Sequence, residues 1–161
     1  GFVMPSWFDL FEIPITLATP DDEPSFAAAV RLVHAQIDAQ VAAGVASERI
    51  VVGGFSQGGA LSLRAVLSYP QRLAGGVVFS GWVSNAAALE AALAPANCAT
   101  PILWCHGTDD RTVEFACGQA GHEALERLGV DVQFRAFPGL AHSACPAEFD
   151  QLGDFLEQRF A

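Results

Sequence analysis

The sequence predicts an α/β fold, a mainly parallel sheet with helices on both faces. Short apolar, β-branched runs alternate along the chain with segments whose apolar residues recur at helical spacing. The runs suit buried parallel strands, and alternation of this kind is met by right-handed βαβ units.

Each element has its own signal. Asp21, Asp22, Glu23 and Pro24 place acids and a proline where a helix starts. Phe26, Val30, Val33, Ile37 and Val41 then mark an amphipathic helix ending near Gly44. Residues 49–53 form a short β-branched run, read as a strand covered on both faces. Residues 57–68 read as helix, closed by Tyr69 and Pro70. Residues 75–79 and 101–105 are strand-like, 115–128 helical and 130–137 strand-like. A last helix over 146–160 puts Phe149, Leu152, Leu156 and Phe160 on one face. The alanine-rich piece at 86–96 fits either a short helix or a loop.

Composition bounds the function. At 161 residues, 52% apolar and only 16% charged, the chain reads as one domain over 1–161 with a large core, which excludes intrinsic disorder. A net charge of −10, with arginine as the sole strong base, argues against nucleic acid as a partner. The longest uncharged stretch, 91–108, is broken by Pro95, Asn97 and Pro101, short of the roughly 20 apolar residues of a membrane span. The expectation is a soluble protein, and because Gly1 to Pro5 have no leader pattern any export signal is either absent or already removed; the expected location is cytoplasmic. Cys98, Cys105, Cys117 and Cys145 have no metal or disulfide spacing and read as reduced core thiols.

The chemistry concentrates after the first strand. Gly54, Ser56 and Gly58 form a G-x-S-x-G between a strand and a helix, the context in which a tight turn lifts a nucleophilic serine over the sheet. The glycines are read as needed because side chains there would meet neighbouring backbone. The Gln57 N–H, at the helix start, is the expected oxyanion donor. A serine of ordinary pKa needs a base and an orienting carboxylate, in the chain order Ser, acid, His for this context. The loop after the strand 101–105 offers Asp109 and Asp110, which spacing alone does not separate, and the loop after 130–137 offers His142. His34 and His122 lie in predicted helices, and His106 reads as a structural hydrogen-bonder at a strand end. A metal hydrolase built on His106, Asp110, His142 and Cys145 is a weaker rival, because that spacing fits no recognised site.

Taken together, Met4-Pro5-Ser6-Trp7-Phe8-Asp9, the run Gly53-Gly54-Phe55-Ser56-Gln57-Gly58-Gly59, Leu73-Ala74-Gly75-Gly76, the loop His106 to Val113 and Ala141-His142-Ser143-Ala144-Cys145 resemble the phospholipase/carboxylesterase family. Acyl-protein thioesterases and small bacterial carboxylesterases belong to that family, whose fold is the α/β-hydrolase fold. The resemblance implies Ser56 as nucleophile, His142 as base and Asp110, the fourth residue after His106, as acid. It further implies that Trp82, Thr112 and Val113 lie near the substrate. The implied activity is a serine carboxylesterase acting on short- to medium-chain acyl esters without a metal or other cofactor. Acyl-protein thioesterase or lysophospholipase activity is the alternative, along with a weakly active remnant that works by association. Family members begin with further strands and an H-G-x-G loop that supplies a second oxyanion N–H, and nothing like it precedes Gly1. The expectation is therefore a fragment or a short member, with the N-terminal strands missing and an uncovered strand edge that a homodimer would cover.

Overall fold

The computed structural model describes residues 6–161; Gly1 to Pro5, with the leader reading and the Met4-Pro5 start of the family resemblance, lie outside the described residues. Nine main elements follow in order: α1 (Glu23–Ala42), β1 (Val51–Phe55), α2 (Gln57–Ser68), β2 (Gly75–Phe79), α3 (Ala86–Ala92), β3 (Ile102–Gly107), α4 (Phe115–Arg127), β4 (Val132–Phe137) and α5 (Pro146–Phe160). The strands form one parallel sheet in the order β1-β2-β3-β4, with Val51 beside Gly75, Gly76 beside Ile102 and Ile102 beside Val132. This is the predicted α/β architecture.

The period-2 alternation of strands divides the core in two. Val78, Ile102 and Trp104 face α2 and its neighbours, where Leu63, Val66, Leu67 and Leu125 complete one cluster. Val77, Phe79, Leu103 and Cys105 face α5 through Phe155. Burying a side chain of this size contributes about 1.5 to 3 kcal/mol, so the two faces together hold the sheet between its helices.

α1 starts where the acids and proline indicated: Asp22 caps it by accepting from the Ser25 N–H at 3.2 Å. Its inner face lies on α2, tied by the Arg64 to Glu23 ion pair at 2.7 Å, by His34 Nε2 on the Ala65 carbonyl and by the Tyr69 hydroxyl donating to Asp38. The alanine-rich piece is a short helix, α3, because Asn85 caps the Ala88 N–H and Leu89 is buried. Before β3, fully buried Asn97 accepts from Leu73 N–H and Thr100 Oγ1 and donates to the carbonyls of Tyr69 and Gln71.

Two expectations change. β1 is not covered on both faces: Phe55 is 40% exposed, and among the described residues the strand lies at an edge of the sheet, the uncovered edge the sequence leads one to expect. The predicted stripe of α5 does not face the core as a unit: Phe155 is the buried apolar residue of the helix, Leu152 and Leu156 are half-buried, and Phe149 and Phe160 stand exposed. The stripe instead lines a groove of about 760 Å³ alongside Val51 and Phe79 at that open edge. No helix among the described residues is long and apolar enough to cross a membrane.

Candidate active site

The turn from β1 into α2 is strained and closely packed. Ser56 takes φ 56° and ψ −120°, a conformation L-residues rarely adopt, and its N–H is held by the Phe79 carbonyl at 2.8 Å. A Cβ on Gly54 would run into the Gly58 backbone, so the strand cannot enter the turn with a side chain there. Gly58 itself faces open space, contrary to the sequence reading; the second close-packed glycine is Gly59, where a Cβ would lie 3.1 Å from the Gly54 carbonyl oxygen. The strain and the two close approaches together present the Ser56 hydroxyl above the strand ends.

His142 and Asp110 arrive from the loops after β4 and β3. The two loops are bonded to each other: Asp109 N–H donates to Leu140 O at 3.0 Å, Gly139 N–H to Thr108 Oγ1 at 2.9 Å, and Thr108 N–H to Phe137 O at 3.0 Å. Gly107 lets them close, since a Cβ there would collide with the Leu140 carbonyl. The imidazole then bridges the site, with Nε2 2.9 Å from Ser56 Oγ and Nδ1 2.7 Å from Asp110 Oδ2. Because an ionised carboxylate only accepts, Nδ1 carries the proton and Nε2 receives the hydroxyl hydrogen.

Asp110 is separated from Asp109 by burial and bonding. Asp110 is 5% exposed, and its Oδ1 accepts from the N–H groups of Thr112 and Val113, both at 2.9 Å. Asp109 is exposed and accepts from Thr108 Oγ1. Burial alone would raise the Asp110 carboxyl, but the bonds from His142, Val113 and Thr112 outweigh it and hold the pKa below its ordinary value. Asp110 is thus the ionised partner of His142.

The remaining candidates fall in different places. Gln57 occupies the first helical position, where an N–H has no intrahelical acceptor, and stands beside Ser56. Thr112 and Val113 serve Asp110 through their backbone, and Val113 is buried. Trp82 is 7% exposed and packs on Phe8 at 6.0 Å between ring centroids, lining a separate cavity of about 320 Å³. It does not line the groove of about 790 Å³ beside Ser56. The aromatics in that groove are Trp7 and Phe55, to neither of which the sequence assigned a role. The Gln57 side chain holds Trp7 there, accepting from the Trp7 N–H at 2.9 Å and donating to the Phe8 carbonyl at 2.7 Å. Phe55 is also new to the site, with its ring centroid 4.7 Å from that of His142. An aromatic next to the serine of the motif was its only sequence signal. His34 and His122 lie on α1 and α4, away from Ser56 in their bonding, and among the described residues no group of three or more His, Cys, Asp or Glu is arranged to hold a metal ion.

Comparison with known proteins gives a consistent picture. Residues 1–159 match the model of a family described as phospholipase/carboxylesterase. The chain is 47% identical over 159 residues to a probable carboxylesterase, SOBER1-like, of Arabidopsis thaliana, covering 99% of this chain and 61% of that protein. The crystal structure of Arabidopsis thaliana SOBER1 superposes with a TM-score of 0.96 at 44% identity, covering 100% of this chain and 77% of that one. Acyl-protein thioesterase 2 of Zea mays gives a TM-score of 0.83 at 26% identity, covering 97% and 73%. The chain thus spans about three fifths of the length of the first of these relatives.

Proposed function

Because the chain belongs to the phospholipase/carboxylesterase family, we propose that it is a serine carboxylesterase hydrolysing short- to medium-chain acyl esters through Ser56, His142 and Asp110. The observation that carries the reading is the single imidazole bonded to both Ser56 Oγ at 2.9 Å and Asp110 Oδ2 at 2.7 Å.

In this reading Ser56 Oγ attacks the ester carbonyl as its proton passes to His142 Nε2. The imidazolium is stabilised by Asp110, whose second oxygen is already occupied by the Thr112 and Val113 N–H groups. The developing oxyanion is met by the free N–H of Gln57 and the positive end of α2. His142 then returns the proton to the leaving alkoxide, which departs and leaves an acyl-serine. A water, deprotonated by the same nitrogen, attacks that acyl-serine, and collapse of the second tetrahedral adduct frees the acid and restores Ser56. The groove that Trp7 and Phe55 share with Ser56 supplies the apolar wall for the substrate.

The likeness to an acyl-protein thioesterase supports thioesters as a second substrate class at the same serine. Fluorophosphonate labelling of Ser56, combined with turnover of p-nitrophenyl esters of increasing chain length, tests the reading. Labelling that Ser56→Ala abolishes is the expected result; an unlabelled wild type that turns over no ester or thioester would sink it.

A further inference from the structure

His106 is the next-to-last residue of β3, and its ring is completely enclosed. Nε2 lies 3.0 Å from the carbonyl of Val113. A carbonyl can only accept, so the proton sits on Nε2 and Nδ1 is left with a bare lone pair. Nδ1 has no hydrogen-bond partner and faces Gly118, where a Cβ would come within 2.5 Å of it. A second proton there would bury an N–H against carbon, and burial accordingly pushes the His106 pKa down. The ring is a neutral donor with one N–H and one use for it.

That use bears on Asp110. His106 Nε2 is 3.6 Å from Asp110 Oδ2, too far for a good hydrogen bond, whereas His142 Nδ1 is 2.7 Å from the same oxygen. The two imidazoles therefore do not compete for the carboxylate. His106 instead holds the far end of the turn whose near end holds the acid: Val113 gives its carbonyl to His106 and its N–H to Asp110 Oδ1. Ile15 fixes the same turn from outside, through its N–H on Thr112 O at 2.8 Å and its carbonyl on the Glu114 N–H at 3.0 Å. Among the described residues, His106 is the partner of the Val113 carbonyl, while Ile15 bonds the adjoining Thr112 carbonyl and Glu114 N–H.

We propose that His106 is a positioning residue for the Asp110–His142 pair, its one N–H anchoring the Val113 peptide so that Asp110 presents Oδ2 to His142. Gly118 belongs to the device, because its missing side chain leaves the imidazole room to sit in line with the Val113 carbonyl. The inference rests on the proposed triad.

The test compares His106→Gln, whose amide nitrogen can replace the Nε2–H, with His106→Leu, which fills the space without a donor. The readouts are kcat per fluorophosphonate-titrated site, KM, and amide hydrogen exchange at Thr112 and Val113. His106→Leu should lose about 10²-fold in kcat per titrated site with KM little changed, the scale of effect that small misplacement of a reacting group produces. Its Thr112 and Val113 amides should exchange faster, and His106→Gln should restore both properties most of the way. If His106→Leu does not fold, Gly118→Ala in the otherwise native chain should lower kcat in the same sense by pressing on Nδ1. A folded His106→Leu or Gly118→Ala with wild-type kcat per site would overturn the proposal, as would a folded His106→Gln no better than the leucine variant. Absence of any labelling in the wild type would count against the triad itself, while the exchange comparison would still decide whether His106 holds the turn.

Discussion

At Ser56 the backbone is held in a conformation that costs about 1 to 3 kcal/mol, and the hydroxyl so displayed meets His142 at 2.9 Å. Ser56→Ala and His142→Ala should each remove nearly all turnover of a short-chain p-nitrophenyl ester while leaving the melting temperature close to wild type, because neither side chain is buried in a core cluster. Triad members act as a unit, so retention of more than about a tenth of kcat in either variant would contradict their roles. The two neighbouring acids are expected to differ sharply. Asp110→Asn loses the orienting charge and should cost on the order of 10⁴ in kcat, as in the serine protease precedent, whereas Asp109→Asn touches only an exposed threonine contact. Asp110 also links stability to pH. Its folded pKa is depressed, so its contribution is fully present above the ordinary carboxylate value of 3.8 and is lost as pH falls through the lower folded value. Urea titrations should therefore show wild type more stable than Asp110→Asn at pH 6, with the gap closing only below that value; a gap that closes near neutrality would refute the depressed pKa.

The nucleophile turn, as an element, depends on Gly54 more than on the second glycine of its motif. A Cβ at 54 meets the Gly58 backbone, while one at 58 meets nothing within 4 Å. Gly54→Ala should lower the melting temperature and abolish labelling of Ser56. Gly58→Ala should fold as well as wild type or better, since alanine is worth up to about 1 kcal/mol over glycine in a helix. Equal melting temperatures for the two variants would contradict the steric account. The connection between β2 and β3 has its own anchor in Asn97. Asn97→Ala strands buried donors and acceptors of the backbone and should destabilise by about 2 kcal/mol or more in chemical denaturation, without changing kcat of the folded fraction. The bounds of α2 and α5 were readable to the residue, because a motif and a proline mark their starts and a Tyr-Pro pair stops the first. The facing of α5 was not readable. Four apolar residues at helical spacing report that one side is apolar, and whether that side meets a sheet or an open edge depends on strand order.

At the scale of the whole molecule, helices cover both sheet faces, and Ser56, Asp110 and His142 meet at the strand-end loops. The stretch from Trp82 to Thr100 folds back as α3 and the Asn97 turn rather than projecting as an apolar lid. Hydrolysis should therefore rise smoothly with ester concentration, and a jump in rate at the substrate's solubility limit would contradict this. The four thiols divide by depth: Cys98 and Cys145 are half-buried, whereas burial pushes Cys105 up to about 12 and Cys117 up to about 11. A native-state thiol titration should reach Cys98 and Cys145 first and the other two only after unfolding; early modification of Cys105 would show that β3 opens, and of Cys117 that α4 does. By itself the sequence determined the α/β class, the order of its elements, the serine turn and the histidine loop, because spacing, β-branching and glycine or proline punctuation act over a few residues. It also named Asp110, but only through family resemblance, since spacing treats adjacent acids alike. Tertiary structure alone separated Asp110 from Asp109 by burial and N–H bonds, placed Trp7 and Phe55 along the groove beside Ser56 with Trp82 lining a separate cavity, and set His106 behind the acid. Those outcomes are decided by which strands neighbour one another and which loops touch, contacts between residues far apart in the chain that no local pattern encodes.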